Sequence, residues 1–210
     1  MGQWKHGLFE EQEKESRSDT VGRGKEIMCG PEVMVRSFPD KRLTLDPTCS
    51  FRNWWSEEDV SGVVFTDNRG EVHPDVLCDA GCLPFRDEFF EEIRCDPPHM
   101  IQKNYWKSKD SSIGSSYFYR YGNFNNRKEW LSFLHEINQE FHRALKCEGK
   151  LLLKITVGRD RRLPKLEDLK LLSNFEELGR EEKRSRSISP DNRVYYLRYR
   201  KKGMDSIQGE

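Results

Sequence analysis

The stretch from Cys95 to His99 carries the residue types of this chain best suited to chemistry. It reads Cys-Asp-Pro-Pro-His, so the carboxylate of Asp96 is followed directly by Pro97 and Pro98. A proline has its φ angle fixed at about −65° and has no backbone N–H, and a residue that precedes a proline is held in extended geometry. The loop therefore presents the Asp96 carboxylate and the Pro97 carbonyl as two ordered hydrogen-bond acceptors. Acceptors directed at one point suit a donor such as an exocyclic amino group.

Three more aspartates follow strand-like runs, namely Asp46, Asp67 and Asp79. Taken singly, an acid at the end of a strand is most often a turn former or a helix cap. In an open α/β sheet, however, ligands bind beyond the carboxyl ends of the strands. The runs that predict strands before these acids and before Asp96 are 42–45, 62–66, 75–78 and 91–95.

The second half of the chain predicts a helix, a central strand and a closing hairpin. Apolar residues spaced three and four apart indicate one helix with a buried face, and Glu148-Gly149 is interpreted as its C-terminal end. The apolar residues of this helix are Trp130, Phe133, Leu134, Ile137, Phe141 and Leu145. The later elements are a strand at 150–156, a helix at 166–172 and strands at 175–183 and 193–200. Strands that alternate with helices or long loops predict an α/β sheet.

The length of the chain fits one domain, and its balanced charges produce no overall positive electrostatic field. The chain has 210 residues, with 36 basic and 36 acidic side chains, so contact with nucleic acid would need a local basic patch. We expect a disordered tail over residues 1–25, a single domain over 26–202 and a short tail over 203–210. No apolar run is long enough for a membrane span and the start is polar, so we expect a soluble, cytoplasmic protein.

The six cysteines contain no Cys-x-x-Cys pair, and we interpret them as buried free thiols. A zinc site built from Cys78, Cys82 and His99 is the alternative, but zinc ligands usually stand at tighter spacing. We therefore expect no metal.

The order of these elements resembles the class I S-adenosylmethionine-dependent methyltransferases. The resemblance is to a small group with an Asp-Pro-Pro-His loop, related to the amino-methylating DNA and RNA enzymes, and it covers about residues 42–200. It implies an α/β fold with a single-domain Rossmann-like sheet, mostly parallel, a C-terminal antiparallel hairpin and helices on both faces. The motifs that carry it are Leu45-Asp46-Pro47-Thr48-Cys49, Asp79 with Leu83-Pro84-Phe85, Asp96-Pro97-Pro98-His99, and the helix that leads to 148–154.

The resemblance implies S-adenosylmethionine as the cofactor and assigns residues to its parts. Asp46 with the Pro47-Thr48-Cys49-Ser50 turn would lie under its amino acid part, and Ser50 stands where relatives often have glycine. Asp67 would accept hydrogen bonds from the ribose hydroxyls. Asp79 would bind the adenine amino group, with Cys82 or Leu83 against the ring.

The resemblance also implies that Asp96, Pro97, Pro98 and His99 form the catalytic loop of this chain. A histidine at the fourth position, where relatives carry a stacking aromatic residue, leaves the acceptor atom open. Aromatic and basic residues then predict a surface for DNA or RNA, although a loop that packs onto the sheet explains them equally well. The predicted substrate-binding residues are Tyr105, Trp106, Tyr119, Tyr121 and Lys154.

N-methylation of a nucleobase amino group in DNA or RNA is the leading function. A ribose 2′-O-methyltransferase is an alternative, because Asp96, Lys154 and Glu176 or Glu177 can be fitted to its acid, lysine and glutamate pattern. A binding module that transfers no methyl group is the third interpretation. The sequence leaves the oligomeric state open.

Overall fold

The computed structural model describes residues 43–55, 58–101, 123–184 and 192–203. The predicted tail at 1–25 and nearly all of the tail at 203–210 lie outside these residues. The strands are β1 (Thr44–Asp46), β2 (Val63–Asp67), β3 (Val76–Leu77), β4 (Phe90–Cys95), β5 (Leu145–Val157), β6 (Phe175–Arg184) and β7 (Arg193–Lys201). The α-helix α1 spans Arg127–Ala144, and 3-10 helices span Asn53–Trp55, Gly70–Val72 and Leu166–Leu171.

The seven strands form one sheet in the order β3-β2-β1-β4-β5-β7-β6. All neighbouring pairs among β1 to β5 are parallel. β7 is antiparallel both to β5 and to β6, so the predicted C-terminal hairpin is confirmed. The carboxyl ends of β1, β2, β3 and β4 therefore meet at one edge of the sheet.

The main core lies between the sheet and α1. Side chains alternate between the two faces of a strand, and Val64 of β2, Ile93 of β4 and Leu151 of β5 belong to the same apolar cluster as the helix. Trp130 and Phe141 of α1 are completely buried in that cluster. The predicted amphipathic helix is thus confirmed, and its buried face packs on the apolar side chains of the parallel strands.

A smaller apolar cluster covers the other face of β1 and β2. Phe65, the neighbour of Val64 in β2, packs there with Cys49, Trp55 and Val72. Trp55 and Val72 belong to two 3-10 helices, so short helical turns do on this face what α1 does on the other. Helical elements on both faces of a mostly parallel sheet agree with the expected fold class.

Two local predictions were wrong in detail. Gly149 is not the end of the helix, because α1 ends at Ala144 and Leu145 begins β5 directly. Glu148 has a φ angle of +59° within an irregular part of β5, and a Cβ at Gly149 would lie 2.8 Å from the Lys146 carbonyl oxygen. Glycine is therefore required by close backbone packing in a strand. The helix predicted at 166–172 is a 3-10 helix.

The cysteines also differ from the expectation. Cys49 and Cys95 are buried free thiols, as predicted, whereas the free thiol of Cys147 is exposed. Cys82 is disulfide-bonded, so the prediction of a free thiol is wrong there.

One buried carboxylate ties the start of α1 to the 3-10 helix at 166–171. Asp168 accepts hydrogen bonds from the Trp130 indole at 3.0 Å and from the Lys165 backbone N–H at 3.0 Å, and it is paired with Arg127. Its side chain is 3% exposed.

We predict that Asp168→Ala lowers the free energy of unfolding by about 3 kcal/mol, because it leaves buried donors without an acceptor. Glu167→Ala is the matched control: the Glu167 side chain is 74% exposed and stands 3.8 Å from Arg127. That control should change stability by less than about 0.5 kcal/mol. Urea denaturation measures both values, and equal effects would contradict the assignment.

Candidate functional site

A cavity of about 360 Å³ lies at the edge where the parallel strands end. It is lined by residues at or after the ends of β1, β2, β3 and β4, by the segment just before α1, and by one residue of α1 itself. This is the position at which open α/β sheets bind ligands. The lining residues are Pro47, Thr48, Ser50, Asp67, Asn68, Arg69, Asp79, Ala80, Asp96, Pro98, Asn123, Phe124 and Phe133.

Asp46 is a buried structural acceptor and does not line the cavity. Its carboxylate accepts hydrogen bonds from the Trp55 indole at 2.7 Å and from the Thr48 backbone N–H at 3.1 Å. Burial raises the pKa of Asp46 to about 7, although both hydrogen bonds act to lower it. Asp46 therefore shapes the turn after β1 from behind. Cys49 of the same turn is also buried away from the cavity, and burial raises the pKa of its thiol to about 12.

Ser50 has a left-handed backbone conformation, with a φ angle of +46°. Its backbone N–H donates a 3.0 Å hydrogen bond to Oδ2 of Asp67, across from β1 to β2. A non-glycine residue in this conformation is strained. The position is thus one where glycine fits the backbone better, and the serine is held there by the Asp67 contact.

Asp67 is the last residue of β2 and is buried at the cavity wall. It is ion-paired with Arg69, whose Nε and Nη2 atoms lie 2.9 Å from Oδ1 and Oδ2 respectively. The sequence suggested the carboxylate as a ligand acceptor but did not suggest that an arginine two residues later would occupy it.

Asp79 lies shortly after the end of β3 and lines the cavity. Its carboxylate accepts a hydrogen bond from the Gly81 backbone N–H at 2.8 Å and a longer one, 3.4 Å, from the Asn68 amide. Ala80 follows it in the cavity wall, and Phe133 of α1 brings an aromatic ring to the same wall. Ala80 and Phe133 are residues that sequence reasoning missed. Phe133 was predicted only as part of the buried face of a helix.

Cys82 and Leu83 are not among the lining residues. Leu83 is 5% exposed and belongs to the main core. Its backbone is fixed to α1 at both ends, because its N–H donates to Glu140 at 2.7 Å and its carbonyl accepts from Arg143 at 3.0 Å. The Leu83-Pro84-Phe85 segment is therefore attached to α1 by hydrogen bonds.

Asp96 directly follows β4 and lines the cavity. Its backbone N–H donates a 3.1 Å hydrogen bond to the hydroxyl of Thr48, and its Oδ2 is ion-paired with Nζ of Lys154 on β5. Within the described residues, Oδ1 of Asp96 accepts no hydrogen bond. Pro98 also lines the cavity, whereas Pro97 is buried beside it.

His99 lies next to this pair. Burial lowers the pKa of His99, the positive charge of Lys154 lowers it further, and Asp96 acts in the opposite direction. The imidazole is therefore neutral at pH 7 and can accept a proton or a hydrogen bond.

An aromatic pair missed by the sequence stands beside Lys154. The ring centroids of Trp54 and Tyr196 are 6.2 Å apart in an edge-to-face arrangement. Lys154 Nζ lies 5.6 Å from the Trp54 centroid, and Lys183 Nζ lies 4.7 Å from the Tyr196 centroid. Aromatic rings can stack on bases, and lysines beside them can neutralise phosphates.

Neither Glu176 nor Glu177, which the sequence fits with Lys154 to the ribose pattern, lies level with Lys154 in the sheet. Lys154 pairs with Tyr196, and Tyr196 pairs with Glu181, so the glutamate level with the lysine is Glu181. Glu176 binds Arg200 and Glu177 binds Arg180. Strand register, which sequence cannot fix, decides this point.

The remaining predicted substrate residues, Tyr105, Trp106, Tyr119 and Tyr121, lie outside the described residues. In the part of the chain that is described, no three His, Cys, Asp or Glu side chains are grouped as metal ligands. No helix of the described part is long and apolar enough to cross a membrane.

We predict that the Asp46 carboxyl titrates near pH 7. Because its pKa is higher in the folded state than the ordinary value of 3.8, the folded state holds the proton more strongly. This group therefore makes the free energy of unfolding decrease as the pH rises from about 4 to about 7. Carbon-13 NMR of the Asp46 carboxyl measures the midpoint. Trp55→Phe, which removes the 2.7 Å hydrogen bond, should raise that midpoint, and a wild-type midpoint below pH 5 would contradict the prediction.

We predict that Ser50→Gly is more stable than Ser50→Ala by about 1 kcal/mol. Both variants lack the hydroxyl, so their difference isolates the cost of a Cβ at a φ angle of +46°. Thermal or urea unfolding of the two variants measures it. Equal stability would show that the backbone relaxes out of the left-handed region.

Comparison with protein-family models and with curated sequences gives no match. Solved structures do match. The N-methyltransferase NodS from Bradyrhizobium japonicum WM9, in complex with S-adenosyl-L-homocysteine, superposes with a TM-score of 0.51 at 10% identity, over 76% of this chain and 78% of that one. The [4+2]-cyclase SpnF superposes with a TM-score of 0.50 at 13% identity, over 75% of this chain and 74% of that one. The chain thus has a Rossmann-like methyltransferase fold.

Proposed function

We propose that this protein is an S-adenosylmethionine-dependent methyltransferase that acts in the cytoplasm on an amino group of a nucleobase in DNA or RNA. The observation that carries the proposal is the cavity at the carboxyl edge of the sheet, which is bordered by Asp67, Asp79 and Asp96 in the order of their strands. Its volume of about 360 Å³ suits a small-molecule ligand.

The wall of the cavity offers a partner for each part of the cofactor. Thr48, Ser50 and Asp67 all line the cavity. The turn with Thr48 and Ser50 would hold the amino acid part, and Asp67 would accept hydrogen bonds from the ribose hydroxyls. Asp79 would accept from the adenine amino group, while Ala80 and Phe133 supply the apolar surface for the ring. When bound, the cofactor supplies a methyl group on a positively charged sulfur, and no metal is needed for the transfer.

The chemistry at the acceptor falls to the Asp96 loop. An aromatic amino nitrogen is a poor nucleophile, because its lone pair is delocalised into the ring. Oδ1 of Asp96 can accept one of its N–H groups, while Lys154 holds Oδ2 and thereby fixes the carboxylate. The Pro97 carbonyl is the second acceptor. Two such hydrogen bonds favour the tetrahedral nitrogen that attacks the methyl carbon in line, as the bond from that carbon to sulfur breaks. The methylated nitrogen then has to lose one proton, which the neutral imidazole of His99 could accept.

A nucleic-acid substrate is supported by the residues around Lys154. Trp54 and Tyr196 offer two rings within reach of the cations Lys154 and Lys183. These residues are connected to the cavity through the Asp96–Lys154 ion pair.

We predict that Asp96→Asn lowers methyl transfer at least about 100-fold, because the amide presents a weaker acceptor to the reacting nitrogen. Transfer of a tritiated methyl group to DNA, RNA and nucleosides measures this, and calorimetry should show that the variant still binds S-adenosylmethionine. Asp87→Asn is the control, since the Asp87 side chain is 74% exposed and pairs with Arg143 away from the cavity. Undiminished transfer by Asp96→Asn would exclude this loop as the catalytic site. A folded wild-type protein that binds no cofactor would leave the binding-module interpretation.

The Asp96–Lys154 ion pair also favours a second candidate, ribose 2′-O-methylation, in which a lysine assists the hydroxyl. We predict that Lys154→Met separates the two. Amino methylation should retain more than about a tenth of its rate, since Asp96 remains as acceptor, whereas ribose methylation should fall at least about 100-fold. Mass spectrometry of digested nucleosides identifies the methylated atom, and a 2′-O-methyl product lost in Lys154→Met would overturn the leading proposal.

A further inference from the structure

Asp67, the residue placed for the ribose, has no acceptor capacity left in this structure. Oδ1 accepts from the backbone N–H of Arg69 at 3.1 Å and from its Nε at 2.9 Å. Oδ2 accepts from Nη2 of Arg69 at 2.9 Å and from the backbone N–H of Ser50 at 3.0 Å. A carboxylate has about four lone-pair sites. All four are used, and the Asp67 side chain is 5% exposed.

We propose that the Arg69 side chain competes with the ribose hydroxyls of the cofactor for Asp67, so that Arg69 sets the affinity of the site. This inference rests on the function proposed above. Of the four hydrogen bonds to Asp67, the two from backbone N–H groups belong to turns and stay in place. The two from Nε and Nη2 belong to a side chain that can rotate away. When the Arg69 side chain rotates away, Asp67 regains the two acceptor positions that a ribose with two hydroxyls requires.

The surroundings of Arg69 allow this exchange. The Arg69 side chain is 20% exposed and lines the cavity, so water can solvate the guanidinium once it leaves Asp67. The hydrogen bonds to Asp67 are the main cause of the raised pKa of Arg69, and the charge of the exposed Glu71 adds to it.

The ion pair has a second effect on the empty site. It keeps the charge of a buried carboxylate compensated while no ligand is bound, and an unpaired buried charge is costly. Arg69 thus stabilises the free protein and, by the same interaction, weakens ribose binding. The affinity that is measured for the cofactor is the difference between the two sets of hydrogen bonds.

The test compares wild type, Arg69→Met and Asp67→Asn by calorimetric titration with S-adenosyl-L-homocysteine. Arg69→Met keeps both backbone donors and should bind about tenfold more tightly, since charge-assisted hydrogen bonds no longer have to be broken. Asp67→Asn should bind more weakly than wild type. Equal or weaker binding by Arg69→Met, with measurable binding by wild type, overturns the competition and leaves the proposed function standing. Absence of binding by both proteins overturns the proposed function as well.

A second comparison separates competition from a general structural effect. Adenosine and 2′,3′-dideoxyadenosine are used to displace labelled S-adenosyl-L-homocysteine from wild type and from Arg69→Met. The gain in affinity should appear for adenosine and be absent for the dideoxy compound, which has no hydroxyls to offer Asp67. An equal gain for both compounds contradicts the proposal.

The wild-type protein gives an independent readout should Arg69→Met fail to fold. The Nε–H of Arg69 is hydrogen-bonded to Asp67 and should exchange slowly with solvent in the free protein. On saturation with S-adenosyl-L-homocysteine, NMR should show that this proton exchanges quickly. A signal that stays protected in the saturated complex refutes the displacement.

Discussion

Two carboxylates buried at one edge of the sheet are the constraint on which the rest of the site depends. Asp46 is 3% exposed and Asp67 is 4% exposed, and a buried carboxylate must be hydrogen-bonded or neutralised. The chain meets this need with the turn after β1: the Thr48 N–H and the Trp55 indole point at Asp46, and the Ser50 N–H points at Asp67. The strained backbone of Ser50 and the 3-10 helix that contains Trp55 are consequences of that arrangement.

The same edge brings four acidic residues close together, and burial, ion pairs or a backbone hydrogen bond act on their carboxyl groups. Burial raises the pKa of Asp46 towards neutrality, with the charges of Asp96 and Asp67 adding to the effect. Asp67 is paired with Arg69 and Asp96 with Lys154. Asp79 accepts the backbone N–H of Gly81. Negative charges this close together would otherwise oppose folding. The four carboxyl groups also differ in how readily a ligand could replace their present partners.

The fold does not decide the reaction. The same architecture is found in an N-methyltransferase and in a [4+2]-cyclase. The reaction depends on the side chains at the site, and in this chain Asp96 contacts Lys154, with Trp54 and Tyr196 beside the pair. These groups come from four separate parts of the sequence and meet because β1, β4, β5 and β7 lie side by side in the sheet.

The sequence by itself determined the elements and the order of the acids. Strand ends, the amphipathic spacing of α1 and the rigidity of two consecutive prolines are local properties, so an α/β sheet with acids at its strand ends was predicted from them. The mostly parallel arrangement of the strands was expected from the family resemblance. Tertiary structure decided what each acid does. The Trp55 indole donates a hydrogen bond to the buried carboxyl group of Asp46. The register of β5, β7 and β6 brings Glu181 level with Lys154. Hydrogen-bond partners and strand register depend on packing between distant segments, and no local pattern records them.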